Sequence, residues 1–404
     1  MSKKKKIIIV STILILTNTA TFLGATFLSK YISLKKKDTV VLSKSDYEEL
    51  KEFNNLFLAK ELVEKKYIGD VNEDTLTSGA IKGLMESLDD PYSTYFTKEE
   101  YEEFYTLSGN YYGIGVQINA NNEGKIRIVN VYDKSPAKSG GLQKEDLIIK
   151  VNDEEVDWSS SSKAISMMKG EKGKKVKLTI QREESIFEVN LTTDDVEKNP
   201  VTYELIDNEI GYISLEEFDG NSNKYFKNSA EELKNKGAKG FVIDLRGNPG
   251  GYLDQVVGIA SQFTEKDKLL VYTVDKENKK EEYKSTGGDL IGVPMVLLVD
   301  GNSASASEVF TGVVKDYNLG TIVGTKTYGK GVCQNTYPIK NGEEGAIKVT
   351  TAQYYTPAGN NIHKVGIEPD ITVEYPKELL KEEYDRSKDP QFNKAIEEIK
   401  NKLK

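Results

Sequence analysis

Residues 240–251 read GFVIDLRGNPGG, an apolar strand that ends in a glycine-rich turn directly before a predicted helix. Residues 297–308 read LLVDGNSASASE and repeat the order of strand, turn and helix start. From about Tyr203 onward, strand-like and helix-like segments alternate in the same way. Such alternation favours βαβ units, so the sequence predicts a layered α/β core in the C-terminal half.

The first of these turns has the chemistry of an anion site. A glycine-rich turn before a helix leaves backbone N–H groups free, with the positive end of the helix dipole behind them. A phosphate or an oxyanion could bind there. The segment lacks the Gly-Lys-Ser/Thr ending of a nucleotide-binding P-loop and the glycine spacing of a dinucleotide site.

Ser305, in the second turn, has two interpretations. With Glu308 three residues later it forms the pattern of a helix capping box, which is structural. Alternatively, the turn presents the Ser305 hydroxyl as a nucleophile, and the N–H of Ala306 stabilises an oxyanion beside it. The local sequence leaves both interpretations open.

Residues 325–334, TKTYGKGVCQ, contain a candidate base. Lys330 lies between two glycines and is four residues from Gln334, a spacing that predicts a shared face. A lysine acts as a base only when its pKa falls well below about 10.4, through burial or a nearby cation. Lys326 is a rival on spacing alone but lacks the flanking glycines, and Cys333 is interpreted as a small core residue.

Composition narrows the chemistry further. The 404 residues predict two or three modules, and a net charge of -9 argues against a nucleic-acid partner. The single cysteine excludes an intrachain disulfide. His363 is the only histidine, whereas serine triads, Cys-His pairs and most zinc sites each need at least one, so hydrolysis is expected to use another base.

The N-terminus has the pattern of a membrane anchor. Basic residues precede an apolar stretch over 7–28, about the length that spans a bilayer. The basic flank predicts that residues 1–6 are cytoplasmic and that the rest of the chain lies outside. A cleaved signal peptide is the alternative, although no clear small-x-small cleavage site follows the apolar stretch.

Residues 29–110 predict a helical arm that packs on the core, and residues 111–194 resemble a PDZ domain, most clearly in SPAKSGGLQKEDLIIKVND at 135–153. The resemblance implies that a substrate C-terminus is added as a strand, with its carboxylate bound by backbone N–H groups. The loop expected to supply those groups consists of Tyr112, Gly113, Ile114 and Gly115. The alternative is that these glycines only serve tight turns.

Taken together, the motifs resemble the carboxy-terminal processing proteases, the tail-specific peptidase family. That family combines a PDZ domain with Ser-Ala-Ser-Ala-Ser-Glu, Asp-Leu-Arg-x-Asn-x-Gly-Gly and Gly-Lys-Gly-x-x-Gln motifs, here at 303–308, 244–251 and 329–334. The stretches DPYSTYF at 90–96 and GIEPD at 366–370 also fit. The resemblance implies a multidomain α+β protein whose core, residues 195–376, has the crotonase-like fold of tail-specific proteases.

The family further implies roles for single residues. Ser305 would be the nucleophile, Lys330 the base and Gln334 the residue that orients the lysine. The oxyanion hole would use backbone N–H groups of Ala306 and of Gly250 or Gly251. No metal or cofactor is expected.

The expected function is that of a serine endopeptidase with a Ser-Lys dyad, anchored in the cell membrane by a single span and acting outside the cytoplasm. Its partners would be proteins with apolar C-termini. A homodimer could form through the N-terminal arm and the charged helical tail, residues 377–404. The alternatives are an inactive extracytoplasmic PDZ scaffold and an acyl-transfer or acyl-CoA enzyme.

Overall fold

The structure is a computed structural model that describes residues 3–34, 42–106, 111–121, 123–379 and 384–404. Parts of the predicted cytoplasmic tail and of the predicted arm lie outside these described residues, as does the stretch 380–383 of the predicted C-terminal tail. The chain divides into two compact units, Met1–Ala80 and Ile81–Lys404.

The first unit is helical. Its helices are α1 (Lys3–Leu34), α2 (Lys44–Glu52) and α3 (Asn54–Lys66). Within α1, the stretch Lys3–Leu28 has a mean hydropathy of 2.0, and it is long and apolar enough to cross a bilayer. An N-terminal signal sequence would meet the same criteria.

The predicted arm over residues 29–110 is divided between the two units. Its later elements are α4 (Glu73–Glu86), β1 (Thr94–Phe96) and α5 (Lys98–Thr106). Pro91 separates α4 from β1, since proline interrupts a helix. Strand β1 pairs antiparallel with residues 346–348, so this end of the arm is part of a sheet in the second unit.

A β-rich domain follows. Its elements are β2 (Tyr111–Gly113), β3 (Val116–Ala120), β4 (Ile126–Val131), α6 (Pro136–Ser139), β5 (Leu147–Val151), β6 (Glu154–Glu155), α7 (Ser161–Met168), β7 (Lys175–Arg182), β8 (Ser185–Thr192) and β9 (Asp194–Val196). The main sheet has the order β3-β4-β5-β7-β8, with β6 on β5, while β2 pairs with β9. Strand β3 is therefore an edge strand.

The larger domain contains the predicted alternation. Its elements are β10 (Val201–Ile206), β11 (Ile210–Leu215), α8 (Ser222–Asn235), β12 (Gly240–Asp244), α9 (Leu253–Ser261), β13 (Leu269–Asp275), β14 (Lys280–Lys284), β15 (Met295–Val299), α10 (Ala306–Asp316), β16 (Thr321–Gly324), β17 (Val332–Pro338), β18 (Ala346–Tyr355), β19 (Ile371–Thr372) and α11 (Pro390–Lys402).

These strands form two sheets. The central sheet has the order β10-β11-β12-β15-β16-β19, and it is parallel from β11 onward. The second sheet is antiparallel, with the order β1-β18-β13-β14 and with β17 on β18. The βαβ prediction describes the central sheet, whereas the antiparallel sheet was not predicted.

The central sheet is covered on both faces. On one face, Ile243 and Leu297 pack in the same cluster as residues of α8, α9 and α10, including the fully buried Phe226 and Phe310. On the other face, Val242, Val296 and Leu298 pack with α11. Burial on both faces explains why β12 and β15 are continuous apolar runs.

Helix α11 is more than a charged tail. Its side chains Phe392, Ala395 and Ile399 are buried against the sheet, while the charged residues occupy the remaining surface. The buried Asp389 caps the helix and accepts a bond from Arg246 Nη1 at 2.8 Å, and Arg246 also pairs with Asp244 at the end of β12. The predicted charged tail therefore contains a helix that packs on the central sheet.

Candidate active site

The two glycine- and serine-rich turns lie side by side. They follow β12 and β15, which are neighbours in the parallel sheet, and the carboxyl ends of such strands meet at one edge. Ala304 N donates to the Asn248 carbonyl oxygen at 3.1 Å. A Cβ atom at Gly250 would lie 2.7 Å from Ser305 Cβ and 2.9 Å from Ala306 N, so only glycine permits this approach.

Ser305 adopts a strained backbone conformation at the start of α10. Its φ is 55° and its ψ is -114°, a combination that non-glycine residues rarely adopt. A sharp strand-to-helix turn of this kind lifts a nucleophilic serine out of the sheet. A helix cap normally has an extended conformation, so the backbone favours the nucleophile interpretation.

Glu308 connects Ser305 to the segment of Lys330. The carboxylate is fully buried and accepts bonds from the backbone N–H of Ser305 at 2.9 Å and of Lys330 at 2.8 Å. Gly329 N at 2.7 Å and Thr327 Oγ1 at 2.6 Å complete the set. The bond to Ser305 N is the one that the capping-box pattern predicted, and the other three were not predicted.

Lys330 lies in a partly buried position. Its Nζ is 4.8 Å from the centroid of the Tyr92 ring. Burial lowers the pKa of Lys330 below its ordinary value, and the positive charge of Lys348 lowers it further, although Cys333, Asp90 and Glu308 act in the opposite direction. A lysine with a lowered pKa is more often neutral at a given pH, as a general base must be.

Tyr354 lies between the two candidate catalytic residues. Its hydroxyl donates to the Lys330 carbonyl oxygen, and the Ser305 side chain is close enough to influence its pKa. Burial raises the pKa of Tyr354 well above its usual value, so the phenol stays protonated. Tyr354 is therefore a neutral hydrogen-bonding group beside the Ser305 hydroxyl.

The structure does not join Gln334 to Lys330 by a hydrogen bond. Among the described residues, Gln334 Nε2 donates to Thr350 Oγ1 at 3.1 Å and to the Val332 carbonyl oxygen at 3.4 Å. A register shift between Cys333 and Gln334 interrupts the alternation of side chains that the four-residue spacing assumed. The orienting role of Gln334 stays a prediction.

Lys326, Cys333 and His363 have surroundings that differ from those of Lys330. Lys326 is half exposed and forms an ion pair with Glu368 at 3.0 Å. Burial raises the pKa of the Cys333 thiol to about 11, so a reactive thiolate is disfavoured. His363 packs edge-on against Tyr92, with ring centroids 6.4 Å apart, and thus lies closer to Lys330 than its sequence position suggested.

The predicted oxyanion donors differ in whether their N–H groups already have a hydrogen-bond acceptor. Gly250 N donates to Asn248 Oδ1 at 2.9 Å, so this N–H group is already used. Gly251 N and Ala306 N have no hydrogen-bond acceptor among the described residues. The structure therefore favours Gly251 over Gly250 as the partner of Ala306.

The predicted carboxylate loop leads into the edge strand β3. Tyr112 and Gly113 belong to β2, while Ile114 and Gly115 connect it to β3. The Ile114 carbonyl oxygen accepts a bond from Ala137 N at 2.7 Å. Gly115 has a φ of 84°, and a Cβ there would lie 2.2 Å from Ser135 Cβ, so this glycine serves a turn that only glycine fits.

Sequence reasoning missed three residues of the site. The sequence patterns give Glu308 only a capping role, include Tyr92 only in the motif at 90–96, and assign no role to Tyr354. For Tyr92 the signal was the motif at 90–96, and for Glu308 it was the acidic residue that ends the serine-rich motif. Tyr354 lies on β18, and no local pattern indicated that this strand faces Ser305.

Glu308→Gln is expected to lower kcat/KM about 10- to 100-fold. The amide NH2 would face backbone N–H donors, and each buried donor left unpaired costs about 1–3 kcal/mol. Glu368→Gln is the matched control, because Glu368 is an exposed partner of Lys326, and it should keep near-normal kcat/KM. Steady-state kinetics on one peptide, at a temperature where circular dichroism finds both variants folded, provides the measurement. Activity of Glu308→Gln within twofold of the parent would contradict the role given to this carboxylate.

Three segments of the chain match known families. Residues 209–373 match peptidase family S41, residues 113–193 match the PDZ domain, and residues 14–100 match the N-terminal domain of the activating protease CtpB. The chain is 35% identical to the carboxy-terminal processing protease CtpA of Bacillus subtilis, over 80% of this chain and 69% of that protein. It is 34% identical to CtpB of the same organism, over 83% and 70%.

A solved structure supports the fold. An S41 protease from Bacteroides fragilis is similar with a TM-score of 0.52 and 17% identity, covering 80% of this chain and 90% of that one. At this identity the likeness concerns the fold alone. The family matches and the two Bacillus relatives confirm the resemblance predicted from the motifs, and the chain belongs to peptidase family S41 as a serine-type carboxy-terminal processing peptidase with a PDZ domain.

Proposed function

We propose that the chain is an endopeptidase with a Ser305–Lys330 dyad, that its PDZ domain selects substrates by their C-termini, and that it cleaves extracytoplasmic proteins. The observation that carries the dyad is the buried carboxylate of Glu308, which binds the backbone N–H groups of both residues. The strained backbone of Ser305 and the partly buried amine of Lys330 add to it.

In the proposed reaction, neutral Lys330 takes the proton of the Ser305 hydroxyl as Oγ attacks the peptide carbonyl carbon. The carbonyl oxygen becomes an oxyanion, and the N–H groups of Gly251 and Ala306 stabilise it. The Lys330 ammonium then protonates the leaving amine, which gives an acyl-enzyme. Lys330 next deprotonates a water molecule, whose attack releases the carboxylic acid and returns the proton to Ser305.

Substrate selection is assigned to the edge of the PDZ domain. Strand β3 is at the edge of its sheet, so one side of its backbone can pair with an added peptide strand. The loop Tyr112 to Gly115 directly precedes β3, which is where a terminal carboxylate would meet backbone N–H groups. Apolar C-terminal side chains would pack beside this edge strand.

Features of the first unit support the proposed location and assembly. The apolar part of helix α1 would anchor the chain, with the basic residues at the start of this helix in the cytoplasm and the peptidase outside. Helices α2 and α3 contain no buried residue, although they carry apolar side chains such as Leu50, Leu56 and Phe57. Because α11 uses its apolar face within the chain, the N-terminal arm is the better surface for the proposed dimer.

Selection by the substrate terminus is testable with two unfolded proteins that differ only in their last three residues, apolar in one and aspartate in the other. The chain is expected to cleave the apolar substrate with at least about a tenfold higher kcat/KM, because a charged side chain loses the apolar contact. Gel assays with the full-length chain provide the rates. An amidated apolar terminus should bind more weakly than the free acid.

Equal cleavage of the two substrates would contradict PDZ selection. Binding of the apolar terminus without cleavage by the parent chain would instead identify a scaffold. Fluorescence anisotropy with a labelled apolar peptide separates binding from cleavage, and the aspartate peptide is the matched control.

A further inference from the structure

Asn248 joins three loops at the edge of the central sheet. It is fully buried and lies in the glycine-rich turn after β12. Its side-chain Nδ2 donates to the Leu215 carbonyl oxygen, at the end of β11, at 2.8 Å. Its carbonyl oxygen accepts bonds from Ala304 N at 3.1 Å and Ser307 Oγ at 2.9 Å, on either side of Ser305.

The remaining side-chain atom fixes the conformation of the turn. Asn248 Oδ1 accepts a bond from Gly250 N at 2.9 Å. On the opposite side, the Gly250 carbonyl oxygen accepts a bond from Phe218 N at 2.8 Å, and Tyr252 N donates to the Phe218 carbonyl oxygen at 2.7 Å. The backbone N–H and carbonyl groups of Gly250 are therefore both hydrogen-bonded. Gly251 lies between Gly250 and Tyr252, which these bonds hold in place.

We propose that Asn248 is a positioning residue for the oxyanion hole: its side chain holds the Gly250 N–H group and thereby leaves Gly251 N–H, together with Ala306 N–H, to receive the oxyanion. This inference rests on the proposed function, because it assigns a donor for the same Ser305. Asn248 does not touch the reacting atoms. It acts through the turn and through the two bonds to the serine segment.

The alternative is that Asn248 only supports the fold. A buried asparagine with all its polar groups paired stabilises any structure, and its loss leaves partners unsatisfied. The two roles differ in what they change. If the role is structural, removing the side chain lowers the folded fraction. If the role is positioning, removing it weakens the stabilisation of the tetrahedral oxyanion in molecules that are folded.

Asn248→Ala is expected to lower kcat about 10- to 100-fold, with KM changed less than about threefold. A misplaced oxyanion donor lowers the rate by up to about 100-fold, and a lost donor lowers it by about 100-fold or more. A peptide aldehyde, which forms a tetrahedral adduct with Ser305, should inhibit the variant at least about tenfold more weakly. The pH at half-maximal kcat/KM should not move, because Lys330 is unchanged. Asn302→Ala, which removes an exposed amide bonded to Asp300, is the control and should match the parent.

If kcat and aldehyde affinity of Asn248→Ala equal those of the parent, the proposal is overturned. It is also overturned if kcat falls only in proportion to the folded fraction measured by circular dichroism. Should this variant fail to fold, Asn248→Ser retains a hydroxyl at the site and is measured in the same way. Inactivity of the parent chain toward every peptide would sink the proposed dyad instead, so the two failures are distinguishable.

Discussion

Ser305→Ala is expected to lower kcat by roughly 10⁴- to 10⁶-fold, the loss found when a serine nucleophile is removed. Neither neighbouring serine replaces it, because Ser303 Oγ and Ser307 Oγ are buried and donate to the carbonyl oxygens of Leu245 and Asn248. The measurement is the release of product from a peptide under single-turnover conditions. Ser307→Ala, which also removes one hydroxyl from this turn, is the matched control and should retain at least about a tenth of the activity.

A stability measurement distinguishes the two interpretations of Ser305, as a nucleophile and as a helix cap. The backbone N–H of Ser305 donates to the Glu308 carboxylate, and this bond survives in Ser305→Ala. We therefore expect the free energy of unfolding to change by less than about 1 kcal/mol. Ser305→Gly should unfold at a higher temperature than Ser305→Ala, because glycine adopts a φ of 55° without strain. Full activity in Ser305→Ala, with reduced stability, would support the cap and contradict the nucleophile.

The local sequence was a good guide to the central sheet. Strands β11, β12 and β15 are short apolar runs bounded by glycine-containing turns, and the helices after them follow the predicted alternation. Their order in the sheet brought the glycine-rich and serine-rich turns together, as a parallel arrangement requires. Periodicity was sufficient here because both faces of the sheet are buried.

Elsewhere the deciding contacts are distant in sequence. Strand β1 pairs with β18 across about 250 residues, so no local pattern could predict that Tyr92 lies under Lys330. The role of Glu308 depends on donors near Lys330, which a capping-box pattern does not include. Helix α11 was predicted only as part of a charged tail, because charged residues outnumber its three buried apolar residues. The partners of those three residues are on a sheet formed much earlier in the chain.

Lys330→Ala is the second substitution with a large expected effect, a fall in kcat of about 10²- to 10⁴-fold, the usual contribution of a general base. Lys330→Arg is expected to be equally poor, because a guanidinium group stays protonated. His363→Gln is the matched control: it removes the only histidine, which lies beside the same Tyr92 ring, and it should retain most of the activity. Steady-state kinetics of the three variants on one peptide provides the comparison.

The pH dependence of the parent chain identifies the base. Activity should rise as Lys330 loses its proton, and since burial and Lys348 lower the pKa of Lys330, the rise should be centred below the ordinary value of 10.5. Lys348→Met removes one of these two causes and should move the midpoint upward, toward 10.5. A rise near pH 6.5 that disappears in His363→Gln would contradict the assignment and make histidine the base.

Stability gives an independent measure of the same group. The pKa of Lys330 is lower in the folded chain than in the unfolded chain, so between the two values the unfolded chain binds more protons and stability increases with pH. At a pH below both pKa values, the charged amine in this partly buried position lowers the free energy of unfolding by its full amount. Lys330→Met is therefore expected to unfold at the same or a higher temperature than the parent at neutral pH, and the advantage should shrink as the pH rises. A lower unfolding temperature at neutral pH would mean that the charged lysine stabilises the fold, which is the opposite of what a general base held ready by burial requires.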